Sequence, residues 1–309
     1  MNLVLVIPCY KAKQHILGVI AEVPAMFSHI IVVDDACPEN SGKIAASSQD
    51  ARLVVLYHKE NKGVGGAMIS GYKKALELGA DIVIKVDGDG QMDLTQAPKL
   101  IAPILEGRAE FTKGNRFQDF AALKAMPKLR LFGNSALSFM LKAASGHWRM
   151  MDPTNGYTAI SRVLLERIDL DNLAKRYFFE SSLLIELGIV GAKVVDVPIP
   201  ARYGNEQSSL SILKVLFDFP PKILKGLLRR IFYRYFIYDF NMASIYMLLG
   251  LPLMLFGLIF GSYEWLLSVR TGVVRSAGTV MLGVFPLIIG FQMLLQAIAI
   301  DIQNSGESK

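Results

Sequence analysis

The chain has 309 residues, of which 52% are hydrophobic and 19% are charged, and its mean hydropathy is +0.37. This length is sufficient to bury a sizeable core, and the low charge content excludes an intrinsically disordered protein. The two cysteines, Cys9 and Cys37, are too few for a disulfide framework or a cysteine-rich metal site. The net charge of +6 is concentrated in residues 211–240, where six basic residues stand against two acidic ones beside an apolar tail. This arrangement favours a membrane surface as the partner and argues against nucleic acid.

The first 210 residues alternate short apolar runs with amphipathic segments. Four runs predict buried parallel strands, at residues 3–7, 30–33, 53–57 and 82–86. Helix-length segments such as 65–78 separate the runs, and this order predicts an open, doubly wound α/β sheet of the nucleotide-binding type. After residue 90 the pattern weakens, and it predicts a loop over 118–128, a helix over 129–145 and a strand over 193–199. The first run follows Met1 and Asn2 directly, so no export signal is predicted.

The remaining residues form two further segments, 211–240 and 241–309. The first interleaves basic and apolar residues, as do amphipathic helices that lie in a membrane interface, and Pro220-Pro221 is expected to break it. An ordinary surface helix on a soluble domain is the alternative. Two uncharged stretches, 240–263 and 276–300, are each long enough to cross a hydrocarbon core of roughly 30 Å. They predict a two-span hairpin whose ends share the cytoplasmic side, because basic residues precede the first span.

Two aspartates follow the fourth predicted strand directly, in the motif Asp87-Gly88-Asp89-Gly90-Gln91. Open α/β sheets bind ligands at the carboxyl ends of their strands, and alternate residues of an extended chain point to the same side. Asp87 and Asp89 therefore suit a Mg²⁺ or Mn²⁺ ion that bridges a diphosphate, with Gln91 as a third oxygen ligand. The alternative is a polar turn with glycines at positive φ.

The ends of the first two predicted strands suit a nucleoside. Pro8 and Tyr10 follow the first strand, and Val33 and Asp35 lie at the end of the second. Asp35 is expected to bond a ring nitrogen or a hydroxyl, and Tyr10 is expected to stack on the base. Capping a helix is the alternative role of the aspartate. The glycine-rich segment 61–67 does not have the spacing of a dinucleotide fingerprint, and we interpret it as a flexible loop near the nucleotide.

In their order and spacing, these motifs resemble those of the family 2 inverting glycosyltransferases, specifically the polyprenyl-phosphate sugar transferases. The resemblance covers nearly the whole chain and is carried by Ile7-Pro8-Cys9-Tyr10, Val33-Asp34-Asp35, Asn61-Lys62-Gly63, Asp87-Gly88-Asp89-Gly90-Gln91, Gly114-Asn115-Arg116-Phe117, Asp152-Pro153-Thr154-Asn155-Gly156-Tyr157, Arg202-Tyr203-Gly204 and Ser208-Ser209-Leu210. It implies a GT-A fold on a mostly parallel sheet. It also implies transfer of a sugar from a nucleotide-diphosphate sugar to a lipid phosphate, at the cytoplasmic face of the inner membrane.

The resemblance further implies a role for each matching residue. The nucleoside is held by Pro8, Tyr10, Val33 and Asp35, and the metal and diphosphate are held by Asp87, Asp89 and Gln91. The phosphates, including that of the acceptor, are contacted by Arg116 and Arg202 with assistance from Ser209, and Asp152 lies near the sugar or acceptor. The chain departs from the family at Lys11-Ala12, where Asn-Glu is frequent, and at Ser208-Ser209, where Ser-Lys is usual. A lysine contact to phosphate is thus missing or comes from Lys214.

The acceptor class can be weighed by its chemistry. A lipid phosphate is already anionic and needs little help from a base, so the metal and the arginines would supply most of the catalysis. Glu180 is followed by Ser181, where many relatives that glycosylate hydroxyls carry a Glu-Asp pair. Two alternatives stay open: transfer to a glycolipid hydroxyl with a base near Glu180 or Asp152, and a non-catalytic membrane scaffold. A UDP-sugar is the favoured donor, and Gln292 and Gln296 suit self-association of the anchor.

Overall fold

The structure is a computed structural model that describes residues 1–116, 128–153, 155–200 and 212–304. It contains two compact units, the first spanning Met1–Arg230 and the second beginning at Ile231. The boundary between them falls inside the basic segment 211–240. The predicted loop over 118–128 lies almost entirely outside the described residues.

Within the described residues, the first unit is built on a seven-stranded sheet. Its strands are β1 (Leu3–Cys9), β2 (His29–Asp34), β3 (Leu53–Tyr57), β4 (Ile82–Lys85), β5 (Phe111–Asn115), β6 (Thr158–Ser161) and β7 (Val194–Pro198). The spatial order is β3-β2-β1-β4-β6-β5-β7. Strand β6 is antiparallel to both of its neighbours, and the other pairings are parallel. The predicted α/β class and mostly parallel sheet are confirmed.

Helices cover both faces of this sheet. They are α1 (Ile16–Ala21), α2 (Ser41–Ala46), α3 (Gly63–Glu77), α4 (Ala97–Leu105), α5 (Lys128–Ser145), α6 (Arg162–Arg167) and α7 (Phe179–Ile189). Alternate strand residues enter opposite cores, as the period of two requires. Val4 and Val6 of β1 pack with α3, α5, α6 and α7, whereas Leu3, Leu5 and Ile7 pack with α1, α2 and α4. The strands predicted at residues 30–33 and 53–57 contribute side chains to the same two cores.

The prediction did not include β5 and β6, and their sequences explain why. Strand β5 carries buried polar residues, among them Thr112, Lys113 and Asn115, so it does not read as an apolar run. Strand β6 has only four residues. The late strand and the helix predicted over 129–145 are confirmed as β7 and α5.

The interpretation of the glycine-rich segment as a flexible loop is wrong. Helix α3 begins within it, at Gly63, whose φ is +82°. A Cβ atom placed on Gly65 would lie 2.1 Å from the carbonyl oxygen of Ala174, and the backbone N–H of Gly66 donates to the carbonyl of Lys175 at 2.9 Å. The glycines thus allow the backbone at 174–175 to pack directly on the first turn of α3.

The expectation that Pro220 and Pro221 break the basic segment is also wrong. A single helix, α8 (Ile212–Phe232), continues through both prolines. Two missing N–H groups weaken a helix, but tertiary packing holds this one: Phe219 lies edge-on to an aromatic ring 5.1 Å away, and Ile223 is buried in the core of the first unit. A turn of π-helix follows at Tyr233–Tyr238.

The second unit contains two long apolar helices, α9 (Met242–Thr271) and α10 (Ala277–Asn304). Each is long and apolar enough to cross a membrane. In their most apolar windows only 22% and 17% of residues are buried, whereas the core helix of a soluble protein is mostly buried. Two apolar helices lie where the spans were predicted, although α9 is longer than expected and includes Arg270 in its last turn.

Glycines bring the two apolar helices into close contact. A Cβ atom on Gly257 of α9 would lie 2.6 Å from the carbonyl oxygen of Gly283 and from the backbone nitrogen of Leu287. A Cβ atom on Gly290 of α10 would lie 2.4 Å from the backbone nitrogen of Met254. Small residues of this kind let helix backbones approach closely in a membrane.

Replacing Gly257 by Ala should therefore force α9 and α10 apart and destabilise the hairpin by about 1–3 kcal/mol, as overpacking does elsewhere. The matched control is Gly278→Ala, because the nearest atom to a Cβ there is the Ser276 hydroxyl at an ordinary 3.8 Å. Thermal unfolding in detergent should show a lowered midpoint for the first variant only. Equal midpoints for the two variants would contradict this packing.

Candidate active site

A cavity of about 460 Å³ opens at the carboxyl ends of β1, β2 and β4. Five of the predicted site residues line it: Pro8, Tyr10, Asp35, Asp87 and Asp89. Parallel strands bring these segments to one edge of the sheet although they are distant in the sequence. The lining of the cavity also includes Arg176 and Tyr177, which the sequence interpretation missed.

Asp35 is buried at the base of this cavity and holds the start of α3. Its Oδ1 atom accepts the backbone N–H of Lys62 at 2.9 Å and lies 2.7 Å from Nδ1 of His58. Its Oδ2 atom accepts the backbone N–H of Gly63 at 2.7 Å. The alternative role foreseen for this residue, capping a helix, is therefore present. A carboxylate has about four acceptor positions, so Asp35 retains capacity for one more donor.

Two aromatic residues stand at the cavity with much of their side chains exposed. Tyr10 is 47% exposed and Tyr177 is 52% exposed, so each offers a ring surface to a ligand. Val33, in contrast, is fully buried in the core beneath the sheet and does not line the cavity. Its contact with the nucleoside stays a prediction. Such a contact would have to come from its backbone, which lies near the end of β2.

Asp87 and Asp89 occupy the turn that follows β4. The Oδ1 atom of Asp87 accepts a hydrogen bond from Nζ of Lys85 at 2.8 Å. The Oδ1 atom of Asp89 accepts the backbone N–H of Gln91 at 3.0 Å, and Gly90 has a φ of +74°. Gln91 thus helps to orient Asp89 through its backbone, and its side chain is not part of the cavity lining.

The donor atoms of this turn fit a hard divalent cation. Among the described residues, no three His, Cys, Asp or Glu side chains converge into a metal-binding group. Asp87 and Asp89 supply two carboxylates from this turn to the cavity. Mg²⁺ and Mn²⁺ suit such a site, since Mg²⁺ commonly takes one or two carboxylates and completes its shell with water and substrate phosphate oxygens.

The family resemblance assigned Arg116 to the phosphates and Asp152 to the sugar or acceptor. In the structure, these two residues form an ion pair. Nε of Arg116 lies 2.8 Å from Oδ2 of Asp152, and Nη2 lies 3.3 Å from Oδ1. Asp152 is fully buried, whereas the Arg116 side chain is 40% exposed. The aspartate therefore orients the guanidinium and is not a solvated turn acid. Neither residue lines the cavity. Arg202 and Ser209 lie outside the described residues, and their roles stay predictions.

The sequence interpretation also missed two buried lysines, Lys85 on β4 and Lys113 on β5. Lys85 contacts the carboxylates of Asp87 and Glu180, at 2.8 and 3.3 Å. Burial lowers the pKa of Lys85, but the two carboxylates outweigh it and raise the pKa above the ordinary value. Lys113 donates to the carbonyl of Asn155, and there burial dominates and lowers the pKa to about 8. Lys85 was detectable as a charge at the end of an apolar run.

With this geometry in place, the comparisons with known proteins are informative. Residues 4–169 match the family model described as Glycosyl transferase family 2, and the chain belongs to this family. It is 32% identical to a UDP-N-acetylglucosamine–dolichyl-phosphate N-acetylglucosaminyltransferase of Methanococcus voltae, over 64% of this chain and 85% of the relative. It is 30% identical to an undecaprenyl-phosphate mannosyltransferase of Micrococcus luteus, over 64% and 83%. The resemblance read from the sequence is confirmed.

The fold is likewise shared with solved structures. Glucosyl-3-phosphoglycerate synthase of Mycobacterium tuberculosis, in complex with Mn²⁺, uridine diphosphate and phosphoglyceric acid, superposes with a TM-score of 0.55. The identity is 20%, and the match covers 74% of this chain and 78% of that chain. The predicted GT-A fold is confirmed.

The pKa of Lys113 predicts how stability depends on pH. Between about 8 and the ordinary 10.5, the unfolded chain binds a proton at this lysine that the folded chain does not, so the folded state gains stability as pH rises. The full effect is about 3 kcal/mol. Lys113→Met should therefore unfold at a higher temperature than the parent protein at pH 7, and the gap should close towards pH 10. If the difference between the two unfolding midpoints did not change with pH, the pKa of Lys113 would not be lowered by burial.

Proposed function

We propose that the protein transfers a hexose or N-acetylhexosamine, with inversion, from a nucleotide-diphosphate sugar to a polyprenyl phosphate at the cytoplasmic face of a membrane. One observation carries this proposal: Asp87 and Asp89 line the same cavity as Tyr10 and Asp35, at the carboxyl edge of a GT-A sheet. Relatives named as dolichyl-phosphate and undecaprenyl-phosphate sugar transferases support the choice of acceptor.

The cavity offers a separate place for each part of the donor. Tyr10 would stack on the base, and the remaining acceptor position of Asp35 would take a hydrogen of the base or ribose. Asp87 and Asp89 would hold Mg²⁺ or Mn²⁺, whose chemistry is to neutralise a departing diphosphate. A synthase of the same fold has been solved with Mn²⁺ and uridine diphosphate, which supports a UDP-sugar as donor. Arg176 adds a positive charge from the protein at the same cavity.

The chemistry at the acceptor needs no general base. An oxygen of the lipid phosphate forms a bond with the anomeric carbon, and the bond from that carbon to the diphosphate breaks. The departing nucleoside diphosphate keeps the electron pair, and no proton moves. Arg116, oriented by the buried Asp152, would help to align the acceptor phosphate, with Arg202 and Ser209 in the same task.

The alternative acceptor, a glycolipid hydroxyl, requires a carboxylate that can take a proton. The two candidates are both paired with cations: Glu180 contacts Lys85, and Asp152 contacts Arg116. A base at either position would first have to give up this cation, which disfavours this alternative. A scaffold without activity is disfavoured because the aspartate pair Asp87 and Asp89 is present at the cavity.

The membrane part of the proposal is a multi-pass anchor in the cytoplasmic membrane, with the catalytic unit in the cytoplasm. Helices α9 and α10 support the spans, and α8 supports an interfacial position because large apolar side chains such as Leu224 and Leu228 are exposed. Arg229 and Arg230 contribute less to anionic lipid binding than the sequence suggested, since they bind Glu186 and backbone carbonyls of α5. Gln292 and Gln296 are exposed on α10, and self-association through them is part of the proposal.

Transfer by the purified protein in detergent tests the proposal directly. Undecaprenyl phosphate is offered with a panel of labelled UDP- and GDP-sugars, with Mn²⁺ or with EDTA. We expect one donor to label an organic-extractable, acid-labile product in Mn²⁺ and not in EDTA. Release of nucleotide without labelled lipid would move the assignment to another acceptor, and no signal across the panel would favour the scaffold.

The variant Asp89→Ala should reduce this transfer to background, because a carboxylate at the cavity is lost while the fold around it is not. Membrane association, measured by flotation with liposomes, should be unchanged. Asp171→Ala is the matched control, since Asp171 is a largely exposed aspartate that pairs with Lys73. Transfer that survives in Asp89→Ala would remove the residue from the metal site.

A further inference from the structure

Lys85 is a deeply buried cation that contacts Asp87 of the cavity, and the proposed function assigns it no role. Its side chain is 2% exposed. Its ammonium has three acceptors, one for each proton: Oδ1 of Asp87 at 2.8 Å, Oε1 of Glu180 at 3.3 Å and the carbonyl of Gly156 at 3.2 Å. A buried cation without such partners would be strongly disfavoured, so these three acceptors are what allows Lys85 to be buried.

We propose that Lys85 is a positioning residue for the donor site: it fixes the carboxylate of Asp87 from behind and ties it to Glu180 of α7. This inference rests on the proposed function, because it assigns Lys85 to the metal and diphosphate end of the cavity. Asp87 is 35% exposed and lines the cavity, whereas Lys85 does not. Lys85 therefore acts through Asp87 and does not touch the donor.

The backbone on the far side of the ammonium is shaped for this contact. A Cβ atom placed on Gly156 would lie 2.5 Å from Nζ of Lys85 and 2.7 Å from Oδ2 of Asp87. A side chain at this position would therefore displace Nζ of Lys85 and the carboxylate of Asp87. The structure thus uses Gly156 to let its own carbonyl and Asp87 reach the same ammonium.

The charges indicate what the arrangement does. Asp87 and Glu180 with Lys85 carry a net charge of −1, so one carboxylate charge is balanced and the other is left for a cation at the cavity. The bond from Nζ to Oδ1 restricts rotation of the Asp87 carboxylate. Residues that orient metal ligands in this way usually change metal affinity or activity by about 10–100-fold when removed.

The test separates positioning from simple charge balance. In Lys85→Met combined with Glu180→Gln, a cation and an anion are removed together, so the net charge is unchanged and no buried carboxylate on α7 lacks a partner. The matched control combines Arg167→Met with Glu110→Gln, which removes a pair away from the cavity, where Arg167 and Glu110 lie 2.6 Å apart. Glu180→Gln alone keeps the bond between Lys85 and Asp87.

The measurement is binding of Mn²⁺ in the presence of UDP, followed by the electron paramagnetic resonance signal of unbound Mn²⁺, with thermal unfolding in parallel. We expect at least tenfold weaker Mn²⁺ binding in the Lys85 and Glu180 double variant, about twofold or less in the control, and about threefold or less in Glu180→Gln. Gly156→Ala, which changes no charge, should show the same loss as the double variant. If the double variant does not fold, Mn²⁺ binding by Gly156→Ala tests the inference in its place.

Parental Mn²⁺ affinity in both Lys85→Met/Glu180→Gln and Gly156→Ala would overturn the inference and leave Lys85 as a structural cation. The proposed function would then stand, since the parent protein still binds Mn²⁺ with UDP. Failure of the parent protein itself to bind Mn²⁺ with UDP would overturn the metal-dependent donor site and, with it, the role of Lys85. A tenfold loss shared by the Arg167 and Glu110 control would also overturn the inference.

Discussion

Two lysine ammonium groups that are buried on β4 and β5 must find their partners inside the protein, and this constraint fixes the position of Asp87 at the cavity. Removing a charge from water costs several kcal/mol unless it is paired. Lys85 on β4 takes Asp87, Glu180 and the carbonyl of Gly156, while Lys113 on β5 takes the carbonyl of Asn155. These contacts join two strands, the 155–156 segment and α7 around one set of charges. The Asp87 carboxylate at the cavity is thereby held in place by the buried Lys85.

The part of the cavity that is proposed to hold the nucleoside depends on a different set of bonds. The first backbone N–H groups of α3 need acceptors, and Asp35 supplies both oxygens. His58 contacts the same carboxylate and also Ser70 of α3, which fixes the ring between strand and helix. Because the 174–175 backbone packs on the same helical turn, Arg176 and Tyr177 reach the cavity from the other side. One carboxylate therefore holds together the elements around this part of the cavity.

The parts of this structure that were predictable from sequence are those governed by local pattern. Four apolar runs gave the parallel strands, and Asp87 and Asp89 were recognisable because they follow one of them. The strand containing Lys113 was not, since a buried lysine interrupts the apolar pattern and its partner lies in a distant segment. The roles of His58 and Glu180 were hidden for the same reason: each acts through a contact that only the fold creates. At Pro220 and Pro221, tertiary packing prevailed over the helix-breaking tendency of proline.

The same pairing that stabilises the site also bears on which acceptor it can use. Four carboxylates of the proposed site are each paired with a cation or assigned to the metal: Glu180 is paired with Lys85, Asp152 with Arg116, and Asp87 and Asp89 stand at the cavity. A hydroxyl acceptor would need one of them to give up its partner and take a proton. An acceptor that arrives already ionised would need no such change, and under the proposed function the paired Arg116 would help to align it. The electrostatics of the fold thus favour an anionic acceptor over a neutral one, independently of the relatives' names.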